Sequence, residues 1–520
     1  MNTPDAASAF TVVGVTPADG AAQVALDTPI VIELSHPPAA DFDVELTTLT
    51  GDAISHATRI AGTTVTLVPN APLWLATGYR LAVSGQRSRD GLPLAPALVT
   101  TFATRDGTWT SRPIYSETSP PAAGSLGAGA SPTLGVAPDG TVLAMWESSQ
   151  KLVHQRYTPG AGWAMTSGTL PVTGDADDVS IAVVTSDRAA GAFAEYIGTR
   201  ADIRATRGNS DGWTAPVTVS PYRVEDTRYD QSLGGIAGDQ TSFALVFRRG
   251  EWADRRFNLY AAIDTGAGWS QPILVSELPG MASQSSIVSD GVGGYVIAWV
   301  QDAVDRSSSE VWVTAMTAAG VVSTPVMLDS GHGATYSLDL AAANGRAQIA
   351  WGHVELDDVG LRIVTRSFVA GAASPAQVVQ LPGFSFGGEW IRVAVTTRAT
   401  LLTWTRYGAL YAQSESGGTW GATETIAPRP AEPRDEIGSP VLTLDARGNA
   451  TVIWTDQPYQ RPRITRYARK LSAGWSASET LDQDRSSSVW AAGVDPAGRV
   501  STLWVASVAN GYSVFASRLE

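Results

Sequence analysis

A repeat of roughly fifty residues constrains this chain more than any other feature. Seven short apolar runs end in an aromatic residue and follow a turn: PDGTVLAMW, TSFALVF, VGGYVIAW, NGRAQIAW, TRATLLTW, RGNATVIW and AGRVSTLW. Their aromatics are Trp146, Phe247, Trp299, Trp351, Trp404, Trp454 and Trp504. One interval is double, and its middle holds RAAGAFAEY, with Glu195 at the aromatic's place. Including that copy, successive spacings are 49, 52, 52, 52, 53, 50 and 50 residues, which makes eight copies. Merging the irregular copy into a neighbour would leave seven.

Each copy has a similar order. A segment such as SPVLTLDA meets a tight turn, NATVIW follows, a variable loop leads to RITRYARKL, and a Gly-Trp introduces a fourth segment. The Trp of that pair recurs at Trp163, Trp213, Trp269, Trp420 and Trp475. Alternating β-branched and apolar residues bounded by Gly, Asn, Asp and Ser predict antiparallel strands, not helices. Four short strands per repeat of this length are the pattern of propeller blades. The last copy, ending GYSVFASRLE, supplies three strands and no Gly-Trp strand, while a spare one, DGTWTSRPIYSE, precedes the first copy. Residues 106–520 thus resemble the β-propeller family, with the segment 106–118 predicted to complete the C-terminal blade and remove an exposed edge.

Residues 10–105 follow another pattern, and residues 1–9 are expected to be a flexible lead. Pro17-x-x-Gly20, Ile30-x-Ile32 running into Leu34-Ser35-x-Pro37, and Asp90-Gly91 before Phe102-x-Thr104 resemble the bacterial Ig-like domain of S-layer and other surface proteins. That resemblance implies a β-sandwich of about seven strands and an envelope or extracellular setting. The fold expected of the whole is all-β.

Composition narrows the partners. A formal net charge of −14 argues against nucleic acid. The absence of cysteine excludes disulfides, thiolate metal sites and Cys nucleophiles. No apolar run approaches the ~18 residues of a membrane helix. The start, MNTPDAASAF, has neither basic nor apolar region of a signal peptide, so a location on the outer surface, in the periplasm or outside a bacterium implies a targeting segment absent from this sequence.

In a propeller, the connections from fourth to first strand and from second to third share one end. Here they are the long, varied ones, and binding residues concentrate on such loops. SPYRVEDTRYDQS offers Tyr222, Arg223, Arg228 and Tyr229; FRRGEWADRRFNLY offers Arg248, Arg249, Trp252 and Arg255. Aromatics beside arginines suit a sugar or an acidic ligand, combining a flat apolar platform with bidentate polar contacts. The plainer reading is a solvated, salt-bridged loop pair. TGDADDVS sets Asp175, Asp177 and Asp178 together on another loop of the same end, as calcium ligands or simply solvated acids. GHVELDD sets His353 near Glu355, Asp357 and Asp358, with His332 before them; two histidines and a carboxylate would suit a transition metal. At Glu195 the plainer expectation is a strand tip reaching solvent; buried, its carboxylate would need Arg204 or Arg248, and a catalytic carboxylate is the third reading.

No His-Glu-x-x-His, phosphate loop or Asp box occurs in the sequence. The reading that follows is a non-catalytic surface or secreted protein whose propeller binds a glycan or protein partner, with the Ig-like domain as spacer and no cofactor unless calcium. A structural part of an envelope or appendage assembly is the alternative, and a glycoside-cleaving propeller with two loop carboxylates the third.

Overall fold

A computed structural model describes residues 9–117, 131–148, 151–198, 200–221, 229–251, 255–305, 307–330, 333–355, 361–379, 390–432, 434–482, 486–508 and 511–520. Every regular element among them is a strand. The chain divides into two compact units, one of residues 1–109 with 497–499 and 519–520, the other holding the remainder.

The first unit is a sandwich of two four-stranded sheets. One orders Val12–Thr16, Ile30–Leu34, Thr64–Pro69 and His56–Ala61; the other orders Ala21–Val24, Leu98–Thr104, Gly78–Val83 and Glu45–Thr48. The strands therefore number eight, one more than the pattern predicts. Ile30, Ile32 and Leu34 alternate inward and meet Val65, Leu67, Tyr79 and Leu81 in one core. Tyr79 stacks on Phe102 with ring centroids 5.2 Å apart, and its hydroxyl accepts the Trp74 amide at 2.7 Å. The Pro17–Gly20 turn is held by the second sheet, where the Asp19 carboxylate accepts the Thr101 amide at 2.8 Å.

The second unit is a run of antiparallel meanders. Its strands form seven bonded sheets, one of double width. In the wide sheet a single parallel bridge, Phe257 to Met281, joins two meanders that are otherwise like the rest. Counting these separately, the meanders are numbered first to eighth in chain order. Their second strands are Val142–Ser148, Arg188–Ile197, Phe243–Glu251, Gly294–Asp302, Arg346–Glu355, Thr400–Arg406, Ala450–Gln457 and Val500–Val508. Each is covered on both faces, so it reads as an unbroken apolar run. Trp146, Trp299, Trp351, Trp404, Trp454 and Phe247 are fully buried, and Trp504 nearly so.

The fourth strand is usually split. Gly162–Trp163 pairs with the end of Lys151–Thr158, and Gly168–Pro171 pairs with its beginning. The Gly-Trp pair thus forms a short outer clip ahead of the main outer strand. In the eighth meander the outer position is held by Trp109–Glu117, beside Gly511–Leu519. Hydroxyl pairs Ser111–Ser517 at 2.7 Å and Ser116–Ser513 at 2.8 Å run along that seam. Inner strands of successive meanders pack side by side, and Ser487–Val494 of the eighth packs on Thr133–Val136 of the first.

Candidate functional site

The second strands end, and the inner strands begin, at the same end of the meanders, so this end collects the long connections. Several inner strands are bulged there. The register slips between Asp177 and Ser180, Ala282 and Ser285, and Tyr336 and Leu338. The side chain left out of the ladder turns to the next inner strand. Gln284 accepts the Leu338 amide at 2.8 Å and Ser337 accepts the Ile391 amide at 3.1 Å. Asp178, at φ 54°, likewise accepts the Leu233 amide. Bulges of this kind re-aim a side chain at a sheet edge.

That geometry reinterprets the acidic run. Asp175, Asp177 and Asp178 lie on the inner strand itself, not on a loop, and Asp178 is committed to the neighbouring backbone. Asp177 caps the Asp178 amide at 2.9 Å. No group of three or more acids or histidines placed to hold a metal occurs among the described residues. The run does belong to an electrostatic cluster. Burial, then the charge of Asp177, pushes Glu147 up to about 7. Burial, then Asp177, raises Asp178 to about 6, with Arg248 opposing. Asp178 as a residue is exposed.

Glu195 does not reach solvent, which overturns the plainer expectation. Its side chain is wholly buried and meets Arg204 at 2.5 Å. The amides of Thr173 and Gly174 and the Thr173 hydroxyl donate to the other oxygen. Burial works to raise its pKa, but these donors and Arg204 outweigh it and hold the carboxyl below the usual range. Arg204, not Arg248, is the partner. His353 is buried too, its Nδ1 lying 3.7 Å from Asp329, an acid outside the predicted metal set. His332, Asp357, Asp358 and the Glu355 side chain lie outside the described residues.

Among the predicted ligand residues, Tyr222, Arg223, Arg228, Trp252 and the side chain of Tyr229 also lie outside them. Arg248 and Arg249 are successive on one strand and project to opposite faces. Arg248 lies over Phe257 at 5.4 Å and donates to Ser232, while Arg249 lies over Tyr260 at 5.6 Å. Arg255, exposed and at φ 50°, reaches the Val304 carbonyl at 3.4 Å. Beyond it opens a cleft of about 350 Å³ lined by Leu278, Pro279, Val304, Glu310 and Trp312.

The sixth and seventh meanders carry a second aromatic and arginine group that sequence reading missed. Trp390, Tyr407 and Tyr459 are 42%, 41% and 46% exposed. Arg392 lies 6.0 Å from the Trp390 ring, Arg406 and Arg429 5.2 and 5.8 Å from Tyr407, and Arg434 4.7 Å from Tyr459. Trp390 is tied to the second strand by the Thr405 hydroxyl and amide, at 2.9 and 3.0 Å. A signal was present: two places after the repeat aromatic, a position facing the same way, the chain has Arg406.

Residues 6–104 match the family model described as a bacterial Ig-like domain. No curated protein matches the chain in sequence. Among solved structures, the chain is similar to the polysaccharide lyase Uly1 at 9% identity and TM-score 0.41, over 71% of this chain and 93% of that one. It is similar to a puromycin-hydrolyzing peptidase of Mycobacterium tuberculosis at 13% and 0.43, over 76% and 62%. It is also similar to the fucose-specific lectin of Aleuria aurantia at 14% and 0.32, over 58% and 95%. At such identities no activity transfers.

Proposed function

We propose that this chain is a non-catalytic protein of a bacterial surface or exterior, whose propeller binds a glycan through its long-loop end. The Ig-like domain serves as spacer. In this reading the second unit is a ring of eight blades closed by Trp109–Glu117. What supports the ring is the cyclic order of inner-strand neighbours and the place of that strand beside Gly511–Leu519.

The observation that carries the binding reading is the set of exposed rings Trp390, Tyr407 and Tyr459, each beside a guanidinium at one end of the sheets. A sugar presents apolar C–H faces and a rim of hydroxyls, which an exposed ring and a planar donor fork complement. No helix among the described residues is long and apolar enough to cross a membrane. A glycan array probed with the full chain tests the reading: discrete saccharide hits are expected, and a blank array opposes it.

One observation favours a second reading, a glycoside-cleaving enzyme. Glu147, raised to about 7 by burial, has the carboxylate of Asp177 as a neighbour, and a pair of carboxyl groups is what such chemistry uses. Release of reducing ends from an array hit, lost in Glu147→Gln, would favour it over simple binding.

A further inference from the structure

We infer that Arg406 anchors an anion site at the long-loop end of the sixth meander, built to take the carboxylate of an acidic saccharide. The inference rests on the glycan-binding reading for the sugar, while the anion follows from Arg406 itself.

The position two places beyond the repeat aromatic faces the seam between neighbouring sheets. In three other meanders a polar residue at this position has a hydrogen-bond partner, while Arg249 lies over Tyr260 and His353 has its Nδ1 3.7 Å from Asp329. Ser148 donates to Glu117, which also accepts the Tyr512 hydroxyl at 3.0 Å. Gln301 donates to the Pro279 carbonyl at 3.1 Å. Asp456 accepts the Trp454 indole at 2.8 Å and the Arg466 guanidinium at 2.5 Å. Arg406 occupies this position in the sixth meander, is 2% exposed, and none of its three guanidinium nitrogens has a hydrogen-bond partner among the described residues.

Other arginines as deeply buried are served differently. Arg518, 3% exposed, donates to Ser501 and pairs with Asp495. Arg469, 5% exposed, donates to Thr451. A buried charge without a counter-charge is strongly disfavoured, so it persists where something outside the fold makes use of it. A guanidinium recognises a carboxylate through two parallel N–H···O bonds.

The surroundings define the rest of the ligand. Tyr407 covers the guanidinium at 5.2 Å from a turn at φ 51°, and is itself 41% exposed, so ligand entry displaces this ring. Trp390, paired across from Thr405, is a further exposed ring at this end of the meander. Arg429, 5.8 Å from the Tyr407 ring, adds positive charge to the approach. An exposed ring over one guanidinium fits a pyranose bearing one carboxylate.

The test uses the full chain with trigalacturonate and, as the neutral counterpart, its methyl ester. By calorimetric titration trigalacturonate should bind at least tenfold more tightly than the ester. Arg406→Met should abolish that preference, and its melting temperature should equal or exceed that of the parent, since a lone buried charge has been removed. Arg406→Lys should retain part of the preference. A parent chain that binds trigalacturonate no better than the ester overturns the inference; if a neutral glycan binds that chain, the broader reading survives alone. An Arg406→Met chain that melts lower and keeps the preference makes Arg406 a structural residue and overturns it equally.

Discussion

Arg204 reaches diagonally from the third strand of the second meander to Glu195 on the second strand, and the pair stands where other meanders bury an aromatic ring. The neighbouring Thr173 and Gly174 amides complete the carboxylate's shell. A buried ion pair adds little over apolar packing, but breaking it leaves a stranded charge. Glu195→Ala is therefore expected to cost about 3 kcal/mol or more in urea unfolding. The folded pKa lies below the ordinary 4.5, so this stabilisation is complete above the carboxylate range and is lost as pH falls through the folded value. In Glu195→Gln that acid-side contribution should vanish from the pH profile of stability.

Glu147 has the opposite sign. Its folded pKa of about 7 exceeds the ordinary 4.5, so the native state holds the proton more tightly than the unfolded chain. Stability therefore falls as pH rises from about 4.5 to 7 and stays low above it. Glu147→Gln should flatten that slope and gain about 1 kcal/mol at pH 8, allowing for solvent screening. Melting curves of the two proteins between pH 4 and 8 check this; a parallel pair of curves contradicts it.

The outer strand of the eighth meander provides a packing test. Ile114, 8% exposed, lies in one cluster with Val142, Trp146, Leu503 and Val514, joining the first and eighth meanders. Ile114→Ala should cost about 2–4 kcal/mol, since the cavity opens between two sheets and neither can collapse into it. Ile114→Asp should release the strand, leave the edge of Gly511–Leu519 unpaired and cause aggregation. Denaturant titration and light scattering read the two outcomes. Unchanged stability in both would contradict closure by this strand.

The repeat was legible because each second strand is covered on both faces, and only apolar side chains survive there. Trp299 and Trp454 mark their places without any knowledge of neighbours. Glu195 was not legible in the same way: its burial depends on Arg204, nine places on, and on amides of Thr173 and Gly174 that only the sheet brings close. The acids from Asp175 to Asp178 looked like a loop because their spacing hides a bulge in an inner strand. Trp390 escaped notice since it precedes a strand without belonging to the repeating aromatic series. Arg406 escaped because a lone arginine at the end of an apolar run ordinarily reaches solvent.

The last prediction sets two tryptophans against each other. Residue types alone favour Trp252 as the sugar platform, in a loop rich in arginine and acid. The placement of exposed rings favours Trp390, which is 42% exposed, is fixed to Thr405 through backbone and hydroxyl, and has Arg392 beside it. A platform needs a rigid seat, because ordering a loose ring on binding subtracts from affinity. Trp390→Ala should therefore weaken binding of an array-selected glycan at least tenfold, or about 1.4 kcal/mol, with little change in melting temperature. Trp351→Ala, which empties a fully buried site, should instead lower stability by about 3–5 kcal/mol. If Trp252→Ala abolishes binding and Trp390→Ala does not, the site lies over the second and third meanders, and the sixth carries only a surface patch.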